Sequence, residues 1–359
     1  VLDRPGICNA PSTNLYFAAD GKVGPCWIQL GEGGERWSPD RSIDDIWRGR
    51  GLERMRADLA AHRFPGACDR CRRDIEAGVA PLAAVYDHER PVLDVPTTLE
   101  LELSNLCNLE CVMCTGELSS KIRRNRDHLP PLEVPYDDSF VEQVAELLPT
   151  LQEVRFSGGE PLLHPILYKI CERIIELRPD LQIAVSTNGS TLNARVRSLL
   201  ERARVQINIS FESLDAERYE AIRIGADHAT LLANIEEFRA LVRPNGGLVT
   251  INTNPMRDTW ADMAAIVRFC DERELHLSFN TVLRPSERSL ASLPGPELAA
   301  VLAALEAERF DPATSGAPEW NHRQWENFVG QVRTWAGEAA PSETPVLLGP
   351  SGGAGPAPT

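Results

Sequence analysis

Between residues 97 and 310, short β-rich runs alternate with amphipathic stretches, and this alternation restricts the fold more than any other feature of the chain. The runs are Thr98–Leu103, Glu153–Phe156, Gln182–Ser186, Gln206–Phe211, Leu248–Asn252 and Leu275–Asn280. Between them, apolar residues recur at helical spacing over Ile166–Leu177, Val196–Ala203, Leu231–Val242 and Met263–Glu272. Strand–helix alternation of this kind reads as parallel βαβ units. Six strands are too few to close an eight-stranded barrel. The expected fold is therefore α/β, an open, partial (β/α)6 barrel, with its active site at the C-terminal ends of the strands.

Two zones flank this core. Residues 1–90 hold four cysteines, many turn residues and one helix. That helix starts with Ser42 as N-cap and carries Ile43, Ile46, Trp47, Leu52, Met55 and Leu59, with Gly51 as the expected point of interruption. Residues 311–347 form a helical extension whose helix, Asn321–Trp335, is expected to pack on the barrel through Trp320 and Trp325. Residues 348–359 are mostly Gly, Pro, Ser and Ala and read as a disordered tail.

The formal net charge of -15 argues against a nucleic-acid or anionic-membrane binder. No apolar run of about 18 residues offers a membrane span. The first thirty residues hold charges and no apolar core of a signal peptide. A cytoplasmic location is the expectation.

Nine cysteines are present, an odd number that does not suit a disulfide framework. Seven fall in two spaced sets. The first is Cys107-Asn-Leu-Glu-Cys111-Val-Met-Cys114, directly after the first strand. Thiolates are the usual ligands of iron–sulfur clusters, and three thiolates on four irons leave one iron open. Zinc is the alternative. It needs a fourth ligand, for which His128 is the nearest candidate. Spacing alone favours iron–sulfur and leaves zinc open.

This spacing and the segments that follow resemble the radical S-adenosylmethionine (SAM) superfamily. Ser157-Gly158-Gly159-Glu160-Pro161, after the second strand, resembles the family's motif that meets the amino group of SAM. Two glycines allow close backbone approach, and Glu160 would offset an ammonium. Ser186-Thr187-Asn188-Gly189 ends the third strand, and Ser210-Phe211-Glu212-Ser213 with Arg223 follows the fourth. By resemblance, Ser186, Asn188, Ser210, Glu212 and Arg223 bind the ribose and carboxylate of SAM. Met113 stands where the family usually has an aromatic beside the adenine, a role an adaptable apolar side chain keeps. The resemblance covers about 97–290 and implies a 5′-deoxyadenosyl radical that takes hydrogen from a substrate C–H bond.

The second set is Cys8, Cys26, Cys68 and Cys71. Four thiolates suit a closed [4Fe–4S] cluster or a structural zinc equally. This zone resembles the auxiliary-cluster modules called SPASM and twitch domains. The shared features are Gly21 before the second cysteine, the Ser42–Trp47 helix and the closing C-x2-C pair. The cysteines that follow that pair in a full SPASM domain are absent, so the twitch form with one cluster fits better. In the related aminocyclitol dehydrogenases the module follows the barrel, whereas here it precedes it.

The resemblance thus implies two [4Fe–4S] clusters and SAM as cofactors, and a flavodoxin- or ferredoxin-type reductant. It also implies a small-molecule or peptide substrate, oxidised with the auxiliary cluster taking an electron. Rival readings are a radical epimerase, a peptide-modifying maturase and a non-catalytic electron carrier. Cys171 and Cys270 lie on apolar helix faces and read as core, the sharper alternative being a hydrogen-donating thiol. Lys121, Arg123, Arg124 and Arg126 read as a solvated face, or else a site for an anionic substrate or redox partner. His164 reads as structural.

Overall fold

Alternation along each strand decides which side of the sheet every residue faces. Leu99, Leu101, Val154, Phe156, Ile183, Val185, Ile207, Ile209, Ile251 and Leu277 turn to one face and join the helices in a single apolar core. The alternate positions carry Glu100, Glu102, Glu153, Arg155, Gln206, Asn208, Thr250, Asn252 and Ser278, and these are buried too. A parallel sheet buried on both faces, with one face polar, is built to surround polar groups rather than to be packed with hydrocarbon.

We describe a computed structural model covering residues 8–30, 35–76, 82–86, 94–282, 285–313 and 315–337. The chain opens with α1 (Ala10–Thr13), β1 (Asn14–Phe17), β2 (Lys22–Gly24) and β3 (Glu35–Arg36), followed by α2 (Ile43–Trp47), α3 (Arg50–Ala60) and α4 (Asp69–Glu76). The central part runs β4 (Thr98–Glu102), α5 (Ser120–Asn125), α6 (Asp138–Leu147), β5 (Glu153–Ser157), α7 (Pro165–Leu177), β6 (Gln182–Thr187), α8 (Ala194–Arg202) and β7 (Val205–Ser210). It continues with α9 (Ala216–Ile222), α10 (His228–Val242), β8 (Leu248–Thr253), α11 (Met263–Glu272), β9 (His276–Phe279), α12 (Gly295–Ala307) and α13 (Gly316–Trp335).

All six expected strands are present, each within a residue or two of its expected ends, and they pair in parallel in chain order. Helices α6, α8, α9 and α10 start where sequence chemistry says they should. Asp137, Asn193, Asp215 and Asp227 each accept a backbone N–H of the first turn.

Two features differ from the sequence reading. The N-terminal zone, for which the sequence reading named one helix, also holds three strands. β1 lies parallel to β4, and β2 and β3 add antiparallel strands beyond it, so the order is β3-β2-β1-β4-β5-β6-β7-β8-β9 in one nine-stranded sheet. The helix from Ser42 is two helices, and the break falls at Arg48–Gly49 rather than Gly51. A Cβ on Gly49 would lie 2.9 Å from the Glu35 carboxylate and 3.0 Å from the Ile46 carbonyl, a close approach that glycine accommodates. Ser42 does cap α2, in a reciprocal box with Asp45.

At the far edge α13 covers β9. Trp320 donates its indole N–H to the Leu277 carbonyl at 2.9 Å, and Trp325 is buried beside Phe279 and Phe328, as expected of both. The expected tail 348–359, and the extension beyond residue 337, lie outside the described residues. Among the described residues no helix is long and apolar enough to cross a membrane.

Candidate functional site

The segment between β4 and α5 carries Cys107, Cys111 and Cys114, and its own polar residues shape it. Asn105 donates its amide to the Gly116 carbonyl at 3.0 Å, closing the loop on itself. Ser119 donates to the Leu109 carbonyl at 2.7 Å, and Ser120 accepts the Cys107 N–H at 3.2 Å. From the other side, the Glu110 and Val112 N–H groups donate to the carbonyls of Ile224 and Ile222, both at 2.9 Å. Cys111 is buried, whereas Cys107 and Cys114 are half-buried. Burial raises all three thiols, Cys114 to about 12; repulsion from neighbouring thiols adds at Cys107 and Cys114, and that from Glu212 at Cys111.

Arg223, at the end of α9, opposes this at Cys111 by donating to its Sγ at 3.7 Å. The same guanidinium makes a two-pronged contact with Glu212, and Asn254 donates to that carboxylate at 2.9 Å. Glu212 and Arg223 are therefore brought together beside the triplet, each already engaged by the other.

The Ser157–Pro161 turn packs directly on the cysteine loop. The Gly159 and Glu160 N–H groups donate to the Ser104 and Leu106 carbonyls at 3.1 and 2.7 Å. Gly158 has φ +106°, and a Cβ there would meet Glu102 Cγ at 2.6 Å; one on Gly159 would meet the Leu106 carbonyl at 2.4 Å. Glu160 is fully buried, and both its oxygens are used within the chain. They accept from the Thr187 hydroxyl at 2.8 Å, the Asn188 N–H at 2.7 Å and the Leu162 N–H at 3.2 Å. Burial lifts its carboxyl to about 7 against these donors. The side chain is a strut between two strand ends. Pro161 begins the short turn Pro161–Leu163 that follows.

Asn188 donates to Asn108 Oδ1 at 2.9 Å, and Asn108 donates on to Ser190 at 2.9 Å, tying the end of β6 to the cysteine loop. Ser186 and Ser210 are half-buried at the ends of β6 and β7. Met113 packs on the buried Ile222, Met256 and Val282. His128 is exposed. His164 sits in the small recess beside Ser157 and Glu160, with a buried Nδ1 that meets no partner. Cys171 and Cys270 are fully buried in the outer helices α7 and α11, in keeping with core packing.

Sequence reasoning missed Asn108, Asn105 and Ser119, whose spacing carries no signal. It also missed Tyr16 and Glu102. Tyr16 on β1 donates to the Glu102 carboxylate on β4, so the N-terminal strand reaches into the wall of the barrel site. Alternation along β4 was the available cue for Glu102.

The second cysteine set also converges. Cys8 precedes α1, Cys26 follows β2, and Cys68 and Cys71 lie in a short turn and in α4. All four line one apolar cavity with Trp27, Ile28, Leu59, Phe64 and Tyr86. Burial pushes Cys26 to about 12 and Cys68 to about 11. Gln29 closes the rim by accepting the Ala67 N–H at 2.8 Å. Tyr86 hydrogen-bonds Glu100 of β4, so this cavity abuts the polar face of the sheet.

Residues 101–270 match the model of the Radical SAM superfamily, and residues 8–72 match that of SPASM, an iron-sulfur cluster-binding domain. GTP 3',8-cyclase of Pseudomonas entomophila is 30% identical over 183 residues, 50% of this chain and 52% of that protein. GTP 3',8-cyclase 2 of Mycobacterium tuberculosis is 30% identical over 186 residues, 51% of this chain and 49% of that protein. The chain thus spans about half the length of the curated relatives it matches. Among solved structures, Streptococcus suis SuiB bound to S-adenosylmethionine is similar at a TM-score of 0.46 and 15% identity, covering 71% of this chain and 56% of that one.

Proposed function

We propose that this chain, which belongs to the radical SAM superfamily and carries a SPASM domain on its N-terminal side, is an enzyme that cleaves SAM reductively and takes a hydrogen atom from its substrate. The favoured outcome is a two-electron oxidation at a C–H position of a sugar, aminocyclitol or peptide. The observation that carries this reading is the loop of Cys107, Cys111 and Cys114 at the C-terminal end of a barrel strand, capped by the glycine turn of Gly158 and Gly159. Cys107, Cys111 and Cys114 would hold a [4Fe–4S] cluster, which together with bound SAM would supply one-electron cleavage chemistry at this end of the strands.

The chain's own groups support the fit. Arg223 brings a positive charge to Cys111, favouring a ligating thiolate in a buried place. Glu212 orients Arg223, and Glu160 holds the glycine turn to the end of β6. The two glycines let this turn pack on the cysteine loop, and by the resemblance the turn would meet the methionine end of SAM. By the resemblance, Ser186 and Ser210 would meet its polar groups, and Met113 the adenine.

Cys8, Cys26, Cys68 and Cys71 would hold a second cluster with every iron ligated, which supplies an acceptor for the electron left on an oxidised substrate. A multi-iron cluster suits this set better than zinc. Zinc would need all four thiolates about 2.3 Å from one point, whereas a cubane needs them spread around a larger volume. These four instead ring a cavity.

Anaerobic reconstitution tests the reading. Dithionite and SAM should yield 5′-deoxyadenosine from a chain carrying about eight irons. No 5′-deoxyadenosine with a competent reductant overturns the enzyme. Zinc in the N-terminal set, with about four irons in total, overturns the auxiliary cluster.

A further inference from the structure

The turn that by resemblance meets the amino group of SAM has no uncommitted acid of its own. Glu160 uses both oxygens on Thr187, Asn188 and Leu162. Glu212 is neutralised by Arg223. Glu100 and Glu153 share the Arg155 guanidinium, at 3.4 and 2.9 Å. Burying a cationic donor without an anionic partner is costly, and one acid beside the turn is still uncommitted.

That acid is Glu102, the last residue of β4. Among the described residues no cation lies within ion-pair distance of it, and the charges that reach it are those of Asp20 and Glu117, both acidic. Glu102 is the register partner of Ser157, the first residue of the glycine turn, and a Cβ on Gly158 would stand 2.6 Å from its Cγ. One side chain joins the two. Tyr16, on β1, donates its hydroxyl to the Glu102 carboxylate and is also hydrogen-bonded to the Ser157 hydroxyl. A hydroxyl has one proton and two lone pairs. Tyr16 gives its proton to Glu102, so the proton between Tyr16 and Ser157 belongs to Ser157. That leaves the Ser157 lone pairs for an incoming donor, and Ser157 is only half-buried. A carboxylate at the far end polarises both hydroxyls in the same direction.

Building on the SAM-cleaving reading, we infer that Ser157 accepts from the amino group of SAM, and that Tyr16 and Glu102 are the positioning residues that give Ser157 its acceptor character. Strand β1 lies within residues 8–72, the segment that matches SPASM, and it pairs with β4. The N-terminal domain therefore completes the SAM site of the barrel. Glu102 also gains a reason for its place. Its buried carboxyl opposes folding as it ionises above about 7, and it serves the ligand in that same range.

Equilibrium dialysis of SAM against the reconstituted, unreduced chain at pH 6 and pH 8 tests this. The second probe is 5′-methylthioadenosine, which lacks the amino-acid end. The groups facing Glu102 are Tyr16 on β1, Asp20 after it, Glu117 ahead of α5, Tyr136 ahead of α6 and Ser157 on β5, with Glu100 on its own strand. Parent affinity for SAM should rise from pH 6 to pH 8, and loss of that rise in Glu102→Gln assigns it to Glu102. Glu102→Gln and Tyr16→Phe should each bind SAM roughly tenfold more weakly than the parent at pH 8. Affinity for methylthioadenosine should stay unchanged. The glutamine variant should at the same time be more stable than the parent at pH 8, a combination that damage to the fold does not produce. Unchanged SAM affinity at pH 8 in either variant overturns the assignment. Equal weakening of both probes also overturns it, because these groups would then serve the fold of the turn. A parent that retains no SAM and releases no 5′-deoxyadenosine with dithionite faults the SAM-cleaving reading itself, and the assignment falls with it.

Discussion

The contact between Tyr16 and Glu102 joins the N-terminal strands to the barrel and makes a measurable claim. Glu102 is buried on the polar face of β4 and accepts the Tyr16 hydroxyl. Burial lifts its carboxyl from 4.5 to about 7, the Tyr16 bond acts the other way, and Asp20 and Glu117 add repulsion. Glu100 and Tyr136 lie close enough to feel the same charges. The folded-state value lies above the unfolded one, so the stability this group contributes is complete below about 4.5 and is lost as pH rises through about 7. At about 1.36 kcal/mol per pH unit the loss is about 3 kcal/mol. Glu102→Gln keeps an oxygen for Tyr16 and removes the ionisation. The variant should match the parent near pH 4.5 and exceed it at pH 8 by about 3 kcal/mol, or roughly 4 °C in melting temperature. Urea unfolding and thermal melts across that range measure the difference. Tyr16→Phe should lower stability at pH 8 in the parent and do so far less in the Glu102→Gln background, a coupling expected of groups in contact. A glutamine variant that is less stable than the parent at every pH would refute the reasoning, since the native carboxylate would then be ionised and needed.

Glu160→Gln sets an amide N–H₂ against donors that now converge on a carboxylate, and should cost about 1–3 kcal/mol in thermal unfolding while weakening SAM binding in equilibrium dialysis. Gly158→Ala at φ +106° should leave far-UV circular dichroism unchanged and reduce SAM retention at least roughly tenfold, since its Cβ meets Glu102 and the Ser104 carbonyl. Cys68→Ser should lower iron content from about eight to about four per chain while dithionite-driven 5′-deoxyadenosine formation persists. Cys171→Ala and Cys270→Ala should leave turnover intact, because both thiols are sealed within outer helices; loss of turnover with SAM cleavage retained would favour an epimerase.

Much of this site could be read along the chain. Each barrel strand is a β-rich run bounded by turn residues, so its identity is local. The triplet and the glycine turn are also local, and their placement after β4 and β5 follows from the order of elements. β1 escaped because its four residues, Asn14–Phe17, are all buried and show no contrast between faces. The Asp20–Gly21 turn, followed by Lys22 and Val23, was the available hairpin cue.

Sequence alone therefore determined the repeating βαβ core, the two cysteine sets and the turns that face them, because covalent spacing and side-chain period act over a few residues. Only the tertiary structure decided which distant groups share a burial site. It set Arg223 between Glu212 and the Cys111 thiol, turned Glu160 inward as a strut, and laid β1 against β4 so that Tyr16 meets Glu102. Those contacts depend on sheet register and on the cost of burying a polar group without a partner. Neither is written in any one stretch of the chain.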